Sequence, residues 1–334
     1  MEAAMAEALL FGDAETRVLA ARDIGKLNKK QKHILAEKGV VSSLVLMLHA
    51  TQDYESIQAA LCALLNLAYG SERNKVLIAK SGAIPAILEI MQWENESLLE
   101  LALAALLILS SCSANKPEIA SPGTIQLLFQ LLDLQFPNCN TISHQAKLDI
   151  LSTLNNLSTS PQIIPTIVLS GGLIYLLQLI YESERSSDLA EKSIALVEAI
   201  VSSSDIALNQ VSETGGMIQV LVEAVEEGSA ATKEHAVAIL VLICKSCKER
   251  YRGMILREGA VPGLLQLSVD GTWLAKEKAK ALLLLLRDRS SGGSSKIQQS
   301  KNVMFEEVMK EIDRRERAGT STQLVEEMIA KLRT

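Results

Sequence analysis

Histidine and cysteine are the side chains here that could perform catalysis or hold a metal, and both are sparse among the 334 residues. The four histidines lie far apart in the sequence, at His33, His49, His144 and His235. No serine or cysteine stands at a spacing that predicts a nucleophile for any of them. Cys244 and Cys247 have Cys-x-x-Cys spacing, but no second Cys/His pair lies nearby to complete a zinc site. Because phosphate-binding and metalloprotease motifs are absent too, we expect no enzyme activity, metal or cofactor.

Carboxylates are the other group with a regular arrangement. Four strongly apolar segments contain a glutamate at their start, and they are Glu100–Ser110, Glu191–Val201, Glu234–Cys244 and Glu277–Arg287. A carboxylate repeated in this way could attract lysine or arginine side chains of another polypeptide. Such an arrangement requires that the segments carrying the glutamates be held side by side.

A repeat in the sequence would hold these glutamate-bearing segments side by side. A glycine precedes a short apolar segment six times, at Gly39, Gly82, Gly123, Gly172, Gly216 and Gly259. The successive intervals are 43, 41, 49, 44 and 43 residues. A longer apolar segment, the one that carries the glutamate in four copies, recurs in step with the glycine. A period in the forties is typical of a helical solenoid, in which each unit buries its apolar surface against the next.

The clearest copy lies between residues 73 and 110. Its sequence predicts three helices, at residues 73–80, 84–92 and 97–110, with Gly82 ending the first and Pro85 in the first turn of the second. The third predicted helix is apolar on most of its surface, so it must be covered on several sides. Nothing inside this copy can cover it, and we therefore expect it to pack against equivalent helices of neighbouring copies.

The repeated pattern resembles the armadillo repeat. The similarity is carried best by Asn74-Lys75 through Met91, by Ala60–Ala68 and by Gly259–Leu267, and it extends over about residues 14–289. It is similar above all to plant armadillo-repeat proteins, including those related to the U-box ubiquitin ligases. The resemblance implies an all-α fold, a right-handed armadillo-repeat superhelix with helical caps.

We divide the chain accordingly. Residues 1–28 are expected to form an N-terminal cap and a partial repeat, with Asp13 as a helix N-cap. Residues 290–301 have the Gly/Ser composition of a linker, and residues 302–334 carry two amphipathic helical patterns that either cap the repeats or bind another protein. The insertion Gln135–Ser143 either contacts a partner through Phe136 or is a tolerated loop. The six repeats between them are assigned to 29–71, 72–114, 115–160, 161–203, 204–247 and 248–289.

The resemblance also implies where a partner would bind. In armadillo proteins the third helices line a concave groove, and an asparagine on them holds the backbone of an extended peptide. That asparagine is present here only as Asn66 and Asn156, and the tryptophan that accompanies it in nuclear-import receptors is replaced in every copy. The groove would instead present a row of glutamates above small and aliphatic residues. The groove residues predicted on this basis are Asn66, Glu100, Asn156, Glu191, Glu234 and Glu277.

The glutamates have two interpretations. They either bind a partner, or they pair with neighbouring lysines as part of the scaffold, through Lys147, Lys192, Lys233 and Lys276. On the first interpretation the chain is a non-catalytic scaffold or adaptor for a polypeptide that offers basic and aliphatic residues. The alternative is a substrate-recognition component of ubiquitin-ligase machinery, although these 334 residues contain no recognisable U-box.

Composition limits the classes of partner and the cellular compartments that we expect for this chain. A net charge of −6 argues against nucleic acid, since no basic excess is present to displace phosphate counterions. Five scattered cysteines do not form a disulfide framework, and no segment is long and apolar enough for a transmembrane helix. We expect a cytoplasmic or nuclear protein, with the C-terminal helices as a candidate second contact surface.

Overall fold

The computed structural model describes residues 2–50, 53–133 and 142–287, and every regular element within these ranges is a helix. The chain divides into two compact units, Met1–Tyr175 and Leu176–Thr334. The helices that begin in the first unit are α1 (Glu2–Phe11), α2 (Ala14–Asp23), α3 (Lys29–Glu37), α4 (Val40–Leu48), α5 (Tyr54–Ala68), α6 (Glu72–Lys80), α7 (Ala83–Ile90), α8 (Glu96–Ser110), α9 (Lys116–Ile119), α10 (Pro122–Leu132), α11 (His144–Ser158), α12 (Ile164–Leu169) and α13 (Leu173–Glu182).

The helices α14 to α20 all belong to the second unit. They are α14 (Asp188–Val201), α15 (Asp205–Glu213), α16 (Met217–Glu227), α17 (Ala230–Ser246), α18 (Lys248–Arg257), α19 (Ala260–Asp270) and α20 (Trp273–Leu286). From α3 onward the helices follow one another in threes, and the third is the longest of each group. Third helices pack side by side within a unit, α5 on α8 and α8 on α11 in the first, α14 on α17 and α17 on α20 in the second.

Helix bounds in the clearest copy agree with the sequence pattern to within two residues at each end. The predicted helices 73–80, 84–92 and 97–110 correspond to α6, α7 and α8. In α8, Leu103, Leu106 and Leu109 are buried, as are Ala102 and Ala105, so the helix is covered on several sides as its composition requires. The all-α fold expected from the sequence is confirmed.

The first unit starts with a helix that packs on the three helices that follow it. Helix α1 contacts α2, α3 and α4, and its Leu9 is fully buried. The Ser43 hydroxyl donates a hydrogen bond of 2.5 Å to the Leu9 carbonyl. Asp13 is the N-cap of α2, as predicted, and its carboxylate accepts from the Thr16 N–H at 2.9 Å. Helix α2 ends at Asp23 and is followed by a 3₁₀ turn, Ile24–Lys26.

Four of the six glycines adopt the left-handed backbone that ends the first helix of a group, with φ between 78° and 85° at Gly39, Gly82, Gly216 and Gly259. The other two do not. Helix α10 already begins at Pro122, capped by the Ser121 hydroxyl, so Gly123 lies inside its first turn. At the next copy the left-handed residue is Gly171, with φ of 72°, and Gly172 instead packs against the Phe129 ring.

Two Asn-Lys pairs, Asn74-Lys75 and Asn115-Lys116, supply side chains that connect successive groups of three helices. Asn115 Nδ2 donates to the carbonyls of Lys75 at 3.1 Å and Leu109 at 3.2 Å, and Asn115 is buried. Lys75 Nζ reaches Ser111 Oγ at 2.8 Å beyond the end of α8, and Lys116 Nζ reaches Thr159 Oγ1 at 2.5 Å beyond α11. A cation near the carbonyl end of a helix is favourable, so these lysines stabilise the third helices.

Two sequence predictions fall wholly or mainly outside the described residues. The linker at 290–301 and the helices at 302–334 lie beyond residue 287. Most of the Gln135–Ser143 insertion, including Phe136, lies in the gap at 134–141. The first helix of that copy, α9, has only four residues.

Candidate protein-binding surface

The third helices begin in the same way, which fixes where their first-turn side chains lie. A short polar side chain caps each one by accepting a hydrogen bond from the backbone N–H three residues later. The capping residues are Asp53, Asn95, Ser143, Ser187, Ser229 and Thr272. With the helix start fixed, a residue in the first turns of one third helix lies beside the N-cap of the neighbouring one.

Glu191 and Glu234 make this contact in the second unit. Ser229 Oγ, at the start of α17, donates a hydrogen bond of 2.6 Å to Glu191 Oε2 on α14. The Thr272 hydroxyl, at the start of α20, donates in the same way to Glu234 on α17. Each pair is separated by 38 residues. The half-buried glutamates therefore contact cap hydroxyls, a partner that the sequence analysis missed when it considered lysines.

The remaining two glutamates lie at the surface. Glu100 on α8 and Glu277 on α20 are exposed, at the same place in their helices as Glu191 and Glu234. Glu100 belongs to the first unit, and Glu277 belongs to the second, with Glu191 and Glu234. The structure thus brings three of the four predicted glutamates together on the adjacent helices α14, α17 and α20.

Asn66 and Asn156 are half-buried in the first unit, and each side chain already has a protein partner. Asn66 Nδ2 donates to the Cys62 carbonyl at 2.9 Å, and Lys32 Nζ donates to Asn66 Oδ1 at 3.2 Å. Asn156 Nδ2 donates to Ser110 Oγ at 3.0 Å, which connects α11 to α8. An amide nitrogen carries two N–H groups, so a second bond from either asparagine to a peptide carbonyl is chemically compatible with these contacts.

A histidine–carboxylate pair, which the sequence analysis did not find, joins α17 to α14. His235 Nδ1 is 2.6 Å from Glu198 Oε2, with side-chain exposures of 30% and 25%. The hydrogen bond to Glu198 raises the pKa of His235, burial opposes this, and the negative charges of Glu198, Glu234 and Glu191 raise it further. The available signal was that Glu198 lies two turns after Glu191, on the same helix face.

Replacing His235 with glutamine should remove a pH-dependent part of the free energy of unfolding. Because the folded-state pKa is raised, the stabilisation is fully present below the ordinary histidine pKa of about 6.5 and is lost as pH rises through the folded-state pKa. Urea titrations between pH 5.5 and 9 should show the parent and His235→Gln converging at the alkaline end. Glu198→Gln is the matched control, since it should lower the His235 pKa measured by NMR. A constant difference at every pH would contradict this account.

The Cys-x-x-Cys pair does not form a two-thiol site. Cys244 is buried, and burial raises the pKa of its thiol, whereas Cys247 is exposed beyond the end of α17. Burial that raises the pKa of a thiol disfavours the thiolate, which is the form that acts as a nucleophile or a metal ligand.

No helix among the described residues is long and apolar enough to cross a membrane.

Solved structures with the same arrangement of helices identify the fold. An engineered protein from a structural genomics consortium superposes with a TM-score of 0.74 at 21% identity, covering 98% of this chain and 76% of that one. A designed armadillo repeat protein superposes with a TM-score of 0.57 at 17% identity, covering 86% of this chain and all of that one. The chain has the armadillo-repeat fold. Another designed armadillo repeat protein, solved in complex with the peptide (KR)4, gives a TM-score of 0.51 at 17% identity, over 85% of this chain and 98% of that one.

The sequence relatives of this armadillo-repeat chain are plant proteins. U-box domain-containing protein 45 of Arabidopsis thaliana is 29% identical over 269 residues, which cover 79% of this chain and 33% of that protein. U-box domain-containing protein 7 of the same plant is 33% identical over 193 residues, or 57% and 24% of the two chains. The matched regions thus span about a quarter to a third of these relatives. No family model matches the sequence.

Proposed function

We propose that the chain is a non-catalytic scaffold that binds a partner polypeptide along its third helices. The observation that carries this proposal is the row of carboxylates on α14, α17 and α20, in which Glu191 and Glu234 are held in place by cap hydroxyls. A hydroxyl orients a carboxylate without neutralising it, so the negative charge remains available to a ligand. Glu277, exposed on α20, extends the same row.

The partner that fits this row carries lysine or arginine and aliphatic residues. Complementary charge would set the rate of encounter and the register of binding, while apolar contacts would supply affinity. The net charge of −6 supports a basic peptide rather than nucleic acid. In the first unit we assign Asn66, Glu100 and Asn156 to the same role, with the asparagines donating to a peptide carbonyl. The designed protein solved with (KR)4 supports an alternating basic peptide as the first probe.

Reversing the charge of Glu191, Glu234 and Glu277 together should weaken binding of the (KR)4 peptide at least tenfold at low salt. Three attractions become three repulsions, and each tenfold loss corresponds to about 1.4 kcal/mol. The measurement is a fluorescence-anisotropy titration on the full chain. The matched control reverses Glu227, Glu249 and Glu258, which are exposed outside the third helices and change the net charge equally. Equal affinity in both triple variants would remove the acidic row from the proposal, provided circular dichroism shows both folded.

A second candidate function is substrate recognition within ubiquitin-ligase machinery. The observation that favours it is the similarity to several plant proteins named for a U-box domain. Affinity purification from a plant extract separates the two candidates. Recovery of a ligase or a ubiquitin-conjugating enzyme supports this one, and recovery of transport, cytoskeletal or signalling proteins alone disfavours it.

We also propose how the chain divides into repeats. We assign the groups of three helices from α3 to α20 to six repeats, at 29–71, 72–114, 115–160, 161–203, 204–247 and 248–289, with residues 1–28 as the cap and partial repeat. The free thiols of Cys62, Cys112, Cys244 and Cys247 support a reducing compartment, the cytoplasm or the nucleus.

A further inference from the structure

The amide of Asn66, on α5, lies beside a lysine of the neighbouring helix α3. The two helices pack together, and Lys32 Nζ donates a hydrogen bond of 3.2 Å to Asn66 Oδ1. Lys29 precedes Lys32 by three residues, so both lysines lie on the same side of α3. We define the α3–α5 basic site as Lys29, Lys32 and Asn66.

Three basic side chains on other elements that pack against α5 already have carboxylate partners. These elements are α2, the 3₁₀ turn after it and α6. The ion pairs are Arg22–Glu55 at 2.7 Å, Lys26–Asp23 at 2.6 Å and Arg73–Glu37 at 2.9 Å. None of the ion pairs found within the described ranges includes Lys29 or Lys32. The positive charge of the α3–α5 basic site is therefore not compensated by a carboxylate of these elements.

The site also has hydrogen-bond donors to spare. Lys32 is half-buried, and the bond to Asn66 uses one of its three ammonium N–H groups. Asn66 Nδ2 gives one of its two N–H groups to the Cys62 carbonyl at 2.9 Å, which leaves the other for a ligand. An ammonium group that is partly removed from water and bonded to a neutral amide gains from a negative acceptor, because charge-assisted hydrogen bonds are the stronger kind. The spare donors therefore suit an anion.

Asn156, the other asparagine predicted to contact a partner, has a different neighbour. Its Nδ2 donates to the Ser110 hydroxyl at 3.0 Å, which contributes no charge. A neutral peptide carbonyl fits that setting, whereas the setting of Asn66 favours a carboxylate.

The sequence around α3 is positive in a chain whose net charge is −6. Residues 22–38 contain more basic than acidic side chains: Arg22, Lys26, Lys29, Lys30, Lys32 and Lys38 against Asp23 and Glu37. Complementary charge would direct an acidic segment of a partner to this region. A nucleic acid is disfavoured, because its extended phosphate backbone would meet the negative charge of the rest of the chain.

We propose that the α3–α5 basic site binds an aspartate or glutamate side chain of the partner polypeptide. The acceptor at Asn66 is then a carboxylate rather than a neutral peptide carbonyl. The inference rests on the proposed function only in that the partner is a polypeptide. It uses residues of the first unit, whereas the glutamate row on α14, α17 and α20 belongs to the second.

A fluorescein-labelled (DE)4 peptide is the probe, titrated by anisotropy into the full chain at about 0.1 M salt, where charges more than about 10 Å apart are largely screened. Lys29→Glu with Lys32→Glu should weaken binding at least tenfold, because two attractions become two repulsions. The matched control is Lys38→Glu with Lys80→Glu, which changes the net charge equally at exposed positions near the ends of α3 and α6. It should alter the affinity less than threefold, and circular dichroism checks that both variants are folded.

A neutral variant keeps the test valid if the double glutamate variant does not fold. Lys29→Gln with Lys32→Gln removes both charges but keeps an N–H donor for Asn66, and it should weaken (DE)4 binding at least threefold. Equal affinity of (DE)4 for this variant and for the parent would overturn the proposal. So would an oligonucleotide whose binding depends on the two lysines while (DE)4 does not bind, because the site would then belong to nucleic acid.

Titration with (KR)4 separates this site from the glutamate row. The Lys29→Glu/Lys32→Glu variant should bind (KR)4 no more weakly than the parent does. If the parent binds (KR)4 but not (DE)4, the α3–α5 basic site is wrong and the scaffold proposal stands. If the parent binds (DE)4 through the two lysines but does not bind (KR)4, the basic site stands and the glutamate row is removed.

Discussion

Replacing Leu106 with aspartate should unfold the helices around α8. Leu106 has no exposed surface, and α8 packs on α5, α6, α7, α9 and α11. Truncating a buried leucine costs about 2–5 kcal/mol, and an unpaired buried carboxylate adds several more. Because a whole domain is stable by only about 5–15 kcal/mol, we expect most of the stability of this region to be lost. Circular dichroism at 222 nm during urea titration should show a reduced helical signal or a much lower first midpoint.

The control for this substitution is Leu46→Asp. Leu46 also lies in a helix of the first unit, α4, but it is 69% exposed, so the same exchange buries no charge. Its effect should stay below about 1 kcal/mol, as for ordinary surface substitutions. A parent-like urea midpoint for Leu106→Asp would mean that α8 is not surrounded by the helices described above.

The second large effect is expected at Gly172. A Cβ atom added there would lie 2.0 Å from Phe129 Cδ2, far inside the 3.5–4.0 Å at which carbon atoms pack. Phe129 is 1% exposed, so its ring has no free space to move into. We expect Gly172→Ala to lower the free energy of unfolding by about 1–3 kcal/mol, as other overpacking substitutions do.

Gly123→Ala is the matched control and should have the opposite sign. Gly123 lies inside α10, and an added Cβ would meet no atom within 4 Å. Alanine is a better helix former than glycine, so stability should rise by about 0.5–1 kcal/mol. Urea denaturation of the two variants measures both values. If both substitutions shift the midpoint in the same direction, the packing described for Gly172 and Phe129 is wrong.

Gly123 and Gly172 show which structural features the sequence pattern predicted and which it did not. Six glycines occur at nearly regular intervals, and that regularity predicted a repeat typical of a helical solenoid. Yet the pattern treated Gly123 and Gly172 as equivalent to Gly82. The structure assigns the left-handed turn to Gly171, and it gives the start of α10 to Ser121 and Pro122. A capping serine or an adjacent glycine can do the same task, and the choice between them depends on what packs against the turn.

The glutamates on the third helices likewise combine a spacing that the sequence shows with contacts that only the structure shows. Their spacing was visible in the sequence, and so was the fact that the third helices carry them. The contacts of Glu191 with Ser229, of Glu234 with Thr272 and of Glu198 with His235 were not, because each joins residues 37 or 38 positions apart. Whether a carboxylate meets a lysine or a hydroxyl depends on how one helix is rotated and shifted against the next. A repeat length known only to a few residues does not determine that.

By itself, the sequence determined the helices, their grouping in threes and the need for each group to have neighbours. These properties depend on local periodicity, on helix-ending residues and on how much apolar surface a helix carries, all of which can be read along the chain. Only the tertiary structure decided which glycine adopts the left-handed conformation and which side chains contact the glutamates. Those outcomes depend on distances between residues about one repeat apart, which local periodicity does not specify.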